Sequence, residues 1–155
     1  HFKYDTQGKK AFILGAGGVV SSIIIALKNL GISQILLSNR TSEKANEMKD
    51  IYKDLQLIEW GETPDFDMII NATSIGLNEK DYGARLDFTK VGPDKFFFDV
   101  IYNPKETNFL KRAKENGHKT QNGKMMFIYQ AHQSFTIWHK IMPEINEKTL
   151  SLLDE

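Results

Sequence analysis

Phe12-Ile13-Leu14 leads without a break into Gly15-Ala16-Gly17-Gly18, and an amphipathic stretch from Val19 to Leu30 follows at once. Three apolar residues, a glycine turn and a helical period specify strand, turn and helix in that order. The turn has the composition that a nucleotide pyrophosphate requires. Gly15 permits the tight bend, Gly17 lets backbone approach phosphate with no Cβ between them, and the helix start offers free N–H groups at the positive end of its dipole. The chain is therefore expected to bind a dinucleotide. One position departs from the G-x-G-x-x-G pattern, because the sixth residue is Val20. A turn of this kind can also join strand to helix with no ligand at all.

The same alternation continues along the chain. Gly31 ends the first helix, and Ile35-Leu36-Leu37 has the uninterrupted apolar character of a buried parallel strand. Thr41 or Ser42 caps a second helix that runs from Glu43 to about Tyr52. Leu55 to Ile58 reads as a third strand, and Met68-Ile69-Ile70 as a fourth with the polar loop Asn71-Ala72-Thr73-Ser74 behind it. Phe96-Phe97-Phe98 with Val100 forms a fifth, a helix from Thr107 to Asn116 closes on Gly117, and Lys119 to Gln121 adds a short sixth. The expected fold is α/β, a doubly wound parallel sheet of about six strands with right-handed crossovers. A chain of 155 residues, 41% hydrophobic, is long enough for one domain with a real core. Thr73 to Pro93 has the weakest pattern, and long loops at the C-terminal ends of strands are where such sheets hold ligands.

Several classes are disfavoured. The formal net charge is zero and no block of like charges stands out, so nothing favours broad attraction to nucleic acid or to a membrane surface. The absence of cysteine excludes a disulfide scaffold and a thiolate metal site. His132 and His139 lie two helical turns apart with no third ligand in pattern, so no metal is expected. No apolar run approaches the roughly 20 residues of a membrane span, and the start lacks the order of a signal peptide, so a cytoplasmic protein is expected. His1-Phe2 without an initiator methionine is what a processed tag or an excised piece of a longer chain would leave.

An NAD site commonly places an acid about 20 residues beyond the first glycine, where it accepts hydrogen bonds from the adenosine ribose. Here the second strand ends in Ser38-Asn39-Arg40-Thr41, with Lys44 in the helix that follows. The carboxylate is missing and two cations stand in its neighbourhood. They suit a 2′-phosphate, which offers a dianion to a guanidinium fork and to the helix start, so NADP is the expected cofactor. The alternative makes both ordinary solvated charges, although cations at the positive end of a helix dipole are slightly unfavourable.

Met125 to Met142 is helical in period and apolar on more than one side. Phe127, Ala131, Phe135, Trp138 and Met142 form one face, and Met126, Gln130, Gln133, Ile137 and Ile141 form another. A single sheet covers only one of them. Either the helix is sunk in its own core, or its second face belongs to a partner domain.

Taken together and in order, Gly15-Ala16-Gly17-Gly18, Asn39-Arg40-Thr41, Asn71-Ala72-Thr73-Ser74, Asp99 to Pro104 with Thr107 and Leu110, Asn122-Gly123, and Gln130-Ala131 with Phe135 and Trp138 resemble the shikimate dehydrogenase family. The resemblance covers nearly the whole chain. It implies a Rossmann-like fold and reversible hydride transfer between NADPH and 3-dehydroshikimate on the route to aromatic amino acids. It assigns Gly15, Ala16, Gly17, Gly18 and Val19 to the pyrophosphate loop, and Asn39, Arg40, Thr41 and Lys44 to the adenosine 2′-phosphate. It sets Ala72, Thr73 and Ser74 along the cofactor and Val100 and Gly123 beside the nicotinamide. Tyr102 and Gln130 would reach the substrate, the phenol near its carboxylate and the amide at a ring hydroxyl. From residue type alone, Tyr102 could equally cap a strand and Gln130 satisfy backbone on a buried helix. Val19 and Val20 depart from the small residues usual after the family's glycines, where helix packs tightly on strand.

In this family a separate N-terminal domain supplies most of the substrate pocket and a catalytic lysine and aspartate, and its lysine motif and Asn-Thr-Asp segment have no counterpart here. Lys9, Lys10, Asp99 and Lys124 are candidates by type only, so no residue of this chain is expected to be catalytic. The resemblance implies an NADP-binding domain over 1–122 and, over 123–155, helices that bridge to the absent catalytic domain, so that the chain by itself is inactive. Residues Met125 to Leu153 should then expose apolar surface, with Phe135, Trp138 or Ile141 free to mediate a non-native dimer. Two alternatives stand beside this reading. One is a module that senses NAD(P) without turnover, and the other is a quinate or shikimate dehydrogenase using NAD, for which an acid near Asn39 would be expected.

Overall fold

A computed structural model describes residues 4–78 and 86–151. His1-Phe2, the middle of the Thr73 to Pro93 loop and Leu153 lie outside the described residues. The strands are β1 (Lys10–Leu14), β2 (Gln34–Ser38), β3 (Gln56–Leu57), β4 (Met68–Asn71), β5 (Phe96–Asp99) and β6 (Lys119–Gln121). The helices are α1 (Val20–Asn29), α2 (Ser42–Ile51), α3 (Asn108–Glu115), α4 (Lys124–His139) and α5 (Glu147–Ser151). All strand pairs are parallel, and the order across the sheet is β3-β2-β1-β4-β5-β6. The chain winds outward from β1 to β3, returns to β4 beside β1, and winds outward again to β6. Loops leaving β1 and β4 therefore diverge in opposite directions, which opens a crevice at their C-terminal ends.

Alternation along the strands builds a core on each face of the sheet. Ala11 and Ile13 of β1 join Ile35, Leu37 and Ile70 beneath α1 and α2, whereas Phe12 and Leu14 join Leu36, Ile69 and Phe97 beneath α3. Burial on both faces explains why these strands read as continuous apolar runs. Helix α1 buries Val20, Ile23, Ile24 and Leu27, the spacing of a single helical stripe, and Gly31 ends the segment at φ +77°. Val20 is fully buried in the first core. A valine at the sixth position of the glycine pattern thus packs the helix against the sheet, and burying it contributes about 1.5–3 kcal/mol.

The third strand is shorter than expected. Only Gln56–Leu57 pair fully, because β3 is the sheet's edge, although the Ile58 N–H still donates to the Leu37 carbonyl at 2.9 Å. Helix α4 stops at His139 rather than running to Met142. Lys140 takes a left-handed conformation at φ 57°, its N–H caps onto the Thr136 carbonyl, and Pro143 disfavours helix in the residue before it.

The alternative of a helix sunk in its own core is overturned, since Ile128 alone is buried along α4. Phe135, Trp138 and Ile141 are 42%, 76% and 62% exposed, so the expected apolar surface is present over the described part of this segment. No helix among the described residues is long and apolar enough to cross a membrane.

His118 leads into β6 and stacks on Phe97 at 5.1 Å between ring centroids, next to Phe88. Burial lowers its pKa; Asp94 pulls it back up and Lys95 adds to the lowering. A histidine whose folded pKa is depressed favours folding while neutral, above its ordinary value of about 6.5, and loses that contribution as pH falls through the depressed value. Unfolding free energy should fall as pH drops below about 6.5, and His118→Phe, which keeps the stack without the charge, should flatten that slope in denaturant titrations.

Candidate functional site

The Gly15 N–H extends β1 by donating to the Ser38 carbonyl at 2.8 Å, and the Ala72 N–H donates to the Leu14 carbonyl at 2.8 Å. The turn is thereby fixed between the C-terminal ends of β2 and β4. Gly15 adopts φ +109°, and a Cβ on it would stand 2.8 Å from the Ala72 oxygen, so position and conformation both demand glycine. Gly17 and Gly18 differ, because a Cβ on either meets no protein atom within 4 Å. The space over this part of the turn is open.

The helix starts around the turn lack side-chain caps. Neither Val19 at the start of α1 nor Thr41 at the start of α2 makes a capping hydrogen bond, whereas Thr107 at the start of α3 accepts from the Leu110 N–H. Uncapped N–H groups and the positive dipole end favour an anion. Asn39 holds the approach to α2 by donating from Nδ2 to the Thr41 carbonyl at 2.8 Å.

A groove of about 290 Å³ lies over these ends and is lined by Gly15, Ala16, Gly17, Asn39, Arg40, Thr41, Lys44, Ala72, Thr73 and Ser74. Residues from three separate segments of the sequence are brought together here. Trp60 and Ile75, which sequence reasoning missed, complete the lining. Gly18 and Val19 belong to the same turn but stand outside the lining. Arg40 and Lys44 are exposed, and neither pairs with an acid among the described residues.

Behind the groove, a buried polar network ties β4 to β5. Asn71 and Asp99 sit opposite one another in the ladder, both fully buried. Asn71 donates from Nδ2 to Asp99 Oδ1 at 3.1 Å and to the Ile75 carbonyl at 3.0 Å, and its Oδ1 accepts from the Thr73 N–H and hydroxyl. Asp99 also accepts from the Ile101 N–H at 3.0 Å and from Thr107 Oγ1 at 2.6 Å. Burial pushes the Asp99 carboxyl above its ordinary pKa, against the donors Thr107, Ile101 and Asn71, which pull it down. Asp99 is thus a structural carboxyl, not one that faces the groove.

A second, open groove of about 530 Å³ adjoins the first through Thr73 and Ser74 and is lined further by Leu77, Val100, Ile101, Tyr102 and Asn103. Gly123 is buried and stands outside this lining, packed against Val100. Its N–H donates to the Ile101 carbonyl at 3.1 Å, and a Cβ on it would collide with the Val100 carbonyl. Tyr102 stacks on Phe127 of α4 with ring centroids 4.5 Å apart. Gln130 lies elsewhere, exposed in a shallow groove with Met126, Tyr129, Gln133 and Ser134. Lys9 and Lys10 are far from both grooves, Lys9 over the Tyr4 ring and Lys10 paired with Asp65 at 2.9 Å. His132 bonds the Pro143 carbonyl at 2.8 Å, and no group of three or more metal-ligating side chains occurs among the described residues.

A family model for shikimate / quinate 5-dehydrogenase matches residues 1–104. The chain belongs to this family. A shikimate dehydrogenase (NADP(+)) from Pelagibacter ubique strain HTCC1062 is 62% identical over 150 residues, covering 97% of this chain and 56% of that protein. Shikimate 5-dehydrogenase from Thermus thermophilus, solved in complex with NADP(H) and shikimate, superposes with a TM-score of 0.76 at 28% identity, over 88% of this chain and 51% of the other. A ligand-free 5-ketofructose reductase of Gluconobacter sp. strain CHM43 gives 0.81 at 28% identity, over 97% and 57%. The chain spans about half the length of these shikimate dehydrogenase relatives.

The two kinds of glycine in the turn should behave differently. Gly15→Ala should lower unfolding free energy by about 1–3 kcal/mol through strain at positive φ, while Gly17→Ala should leave it unchanged within about 0.5 kcal/mol. Thr107→Val should cost about 1–3 kcal/mol, because it removes a donor from buried Asp99 and the cap of α3 in one step. All three are read by chemical denaturation.

Proposed function

We propose that this chain binds NADP along the first groove and forms the cofactor half of a two-domain shikimate dehydrogenase, with residues 1–122 as the cofactor domain and 123–155 leading to the second domain. The observation that carries the proposal is the pair Arg40 and Lys44, unpaired among the described residues, in one groove with the open glycine turn. A guanidinium fork and an ammonium beside an uncapped helix start form a site for a phosphate dianion. No acid occupies the strand-end position where a ribose diol would require one, which favours NADP over NAD and argues against an NAD-linked quinate enzyme.

The fit extends to the rest of the groove. The Gly17 edge and the start of α1 accommodate a pyrophosphate, Asn39 and Thr41 flank the 2′-phosphate position, and Ala72, Thr73 and Ser74 form the opposite wall. Bound there, the cofactor supplies reversible hydride chemistry to the ketone of 3-dehydroshikimate. Val100, with Gly123 packed close behind it, borders the reacting end, and Tyr102, steadied by Phe127, offers its phenol to a hydroxyl-rich acid. The second groove is lined by no lysine and no carboxylate among the described residues. Proton transfer to the developing alkoxide therefore falls to a group outside this lining, as in a cleft closed by another domain. The exposed face of α4 suits that arrangement, with Gln130 presented on it.

Calorimetric titration of the wild type and Arg40→Ala with NADP and NAD tests the cofactor assignment. Arg40→Ala should weaken NADP about 10- to 100-fold and NAD less than about 3-fold. Equal wild-type affinities for the two cofactors, or an Arg40→Ala variant that binds NADP unchanged, would remove the 2′-phosphate site. The chain alone should give no turnover of shikimate with NADP, and measurable turnover would contradict the two-domain reading.

A further inference from the structure

Trp60 is the one aromatic side chain lining the first groove among the described residues. It follows β3, and the turn that carries it is fastened to the end of β2. The Ile58 N–H donates to the Leu37 carbonyl at 2.9 Å, buried Ser38 donates from Oγ to the Glu59 carbonyl at 3.2 Å, and the Glu62 N–H closes the turn onto the Glu59 carbonyl at 3.1 Å. The indole packs against the core that contains Phe12, Leu14 and Leu36 while also contributing to the groove wall. It is a half-buried, anchored aromatic surface in an otherwise polar and glycine-rich crevice.

Strand order fixes which part of a dinucleotide it can meet. The glycine turn stands over β1, the Asn39–Arg40–Thr41 segment over β2, and Trp60 over β3, so these groups are spread in one direction across the sheet. Val100 and Tyr102 follow β5 on the other side of β1. Taking the groove to hold NADP as proposed above, a molecule with its pyrophosphate at the turn and its 2′-phosphate at Arg40 has its adenine beyond the ribose, toward the β3 edge. We infer that Trp60 is the base-side wall of the site, that its indole packs on the adenine ring, and that it contributes affinity common to NADP and NAD. An aromatic face suits a purine and reads neither the 2′ substituent nor the nicotinamide.

The test separates this contribution from that of Arg40. Trp60→Leu, which keeps apolar packing on the core, should weaken NADP and NAD by the same factor, about 5- to 100-fold by calorimetry, and Trp60→Phe should recover most of the loss. Unchanged affinity in Trp60→Leu, or a loss confined to NADP, would overturn the assignment while leaving the cofactor site standing. A wild type that binds neither nucleotide would overturn both. A measurement without any change at Trp60 guards against a misfolded variant. The chain has two tryptophans, so Trp138→Phe, on the exposed face of α4, leaves Trp60 as the sole tryptophan, whose emission is read by excitation selective for indole. Saturating NADP and saturating NAD should each change its fluorescence, and a flat titration with a nucleotide that binds by calorimetry would refute contact with the base.

Discussion

The buried hydrogen-bond cluster centred on Asn71 and Asp99 holds together what the two grooves need. Parallel strands end in loops that no ladder constrains, and a ligand cleft at their C-terminal ends is only as well defined as those loops. Here the last residues of β4 and β5 face each other as amide and carboxylate. The Asn71 side chain folds the 72–75 segment back onto itself, and the carboxylate receives the first amide after Val100 and the hydroxyl that caps α3. One fully buried polar cluster thus positions Thr73 in the first groove and Ile101 and Tyr102 in the second. Such a cluster is worth keeping only if satisfied, since an orphaned buried polar group costs about 1–3 kcal/mol. Burial raises the pKa of Asp99, and the three donors only partly offset that desolvation.

Around this fixed centre, charge and helix ends are distributed unevenly. Helix α3 is capped by its own threonine, which also bonds buried Asp99, while α1 and α2, whose starts adjoin groove-lining segments, have no side-chain caps. Arg40 and Lys44 sit at the start of α2 with no salt-bridge partner among the described residues, although Glu43 shares that first turn. Each choice is unfavourable for the isolated chain and becomes favourable when a phosphate arrives. Stability has been left unclaimed where a ligand can supply it.

Most of this architecture was legible from the sequence because burial on both faces of a parallel sheet writes itself as apolar runs, and because glycine marks bends that no other residue tolerates. Gly15 is a clear case, required both by φ and by the Ala72 carbonyl. Edges and ends were less legible. β3 pairs over only two residues because it has a neighbour on one side alone, and α4 stops before Met142 because of Lys140 and the proline beyond it, not because its apolar period fades. Trp60 left no local signal. Its place in the groove depends on β3 lying next to β2, a tertiary fact, and on Ser38 fastening the intervening turn. The two apolar faces of α4 were visible in the sequence, but whether the helix was buried or bare was not, since both alternatives share one pattern.

Amide hydrogen exchange of Asn71→Ala is the most direct test of the claim that one cluster sets both grooves. The Thr73 and Ile75 amides, and across the strand pair that of Ile101, should exchange markedly faster, while those of Ile13 and Leu37 in the central strands keep their protection. Faster exchange confined to 72–75, with Ile101 unchanged, would mean that the two loops are held independently and would contradict the account.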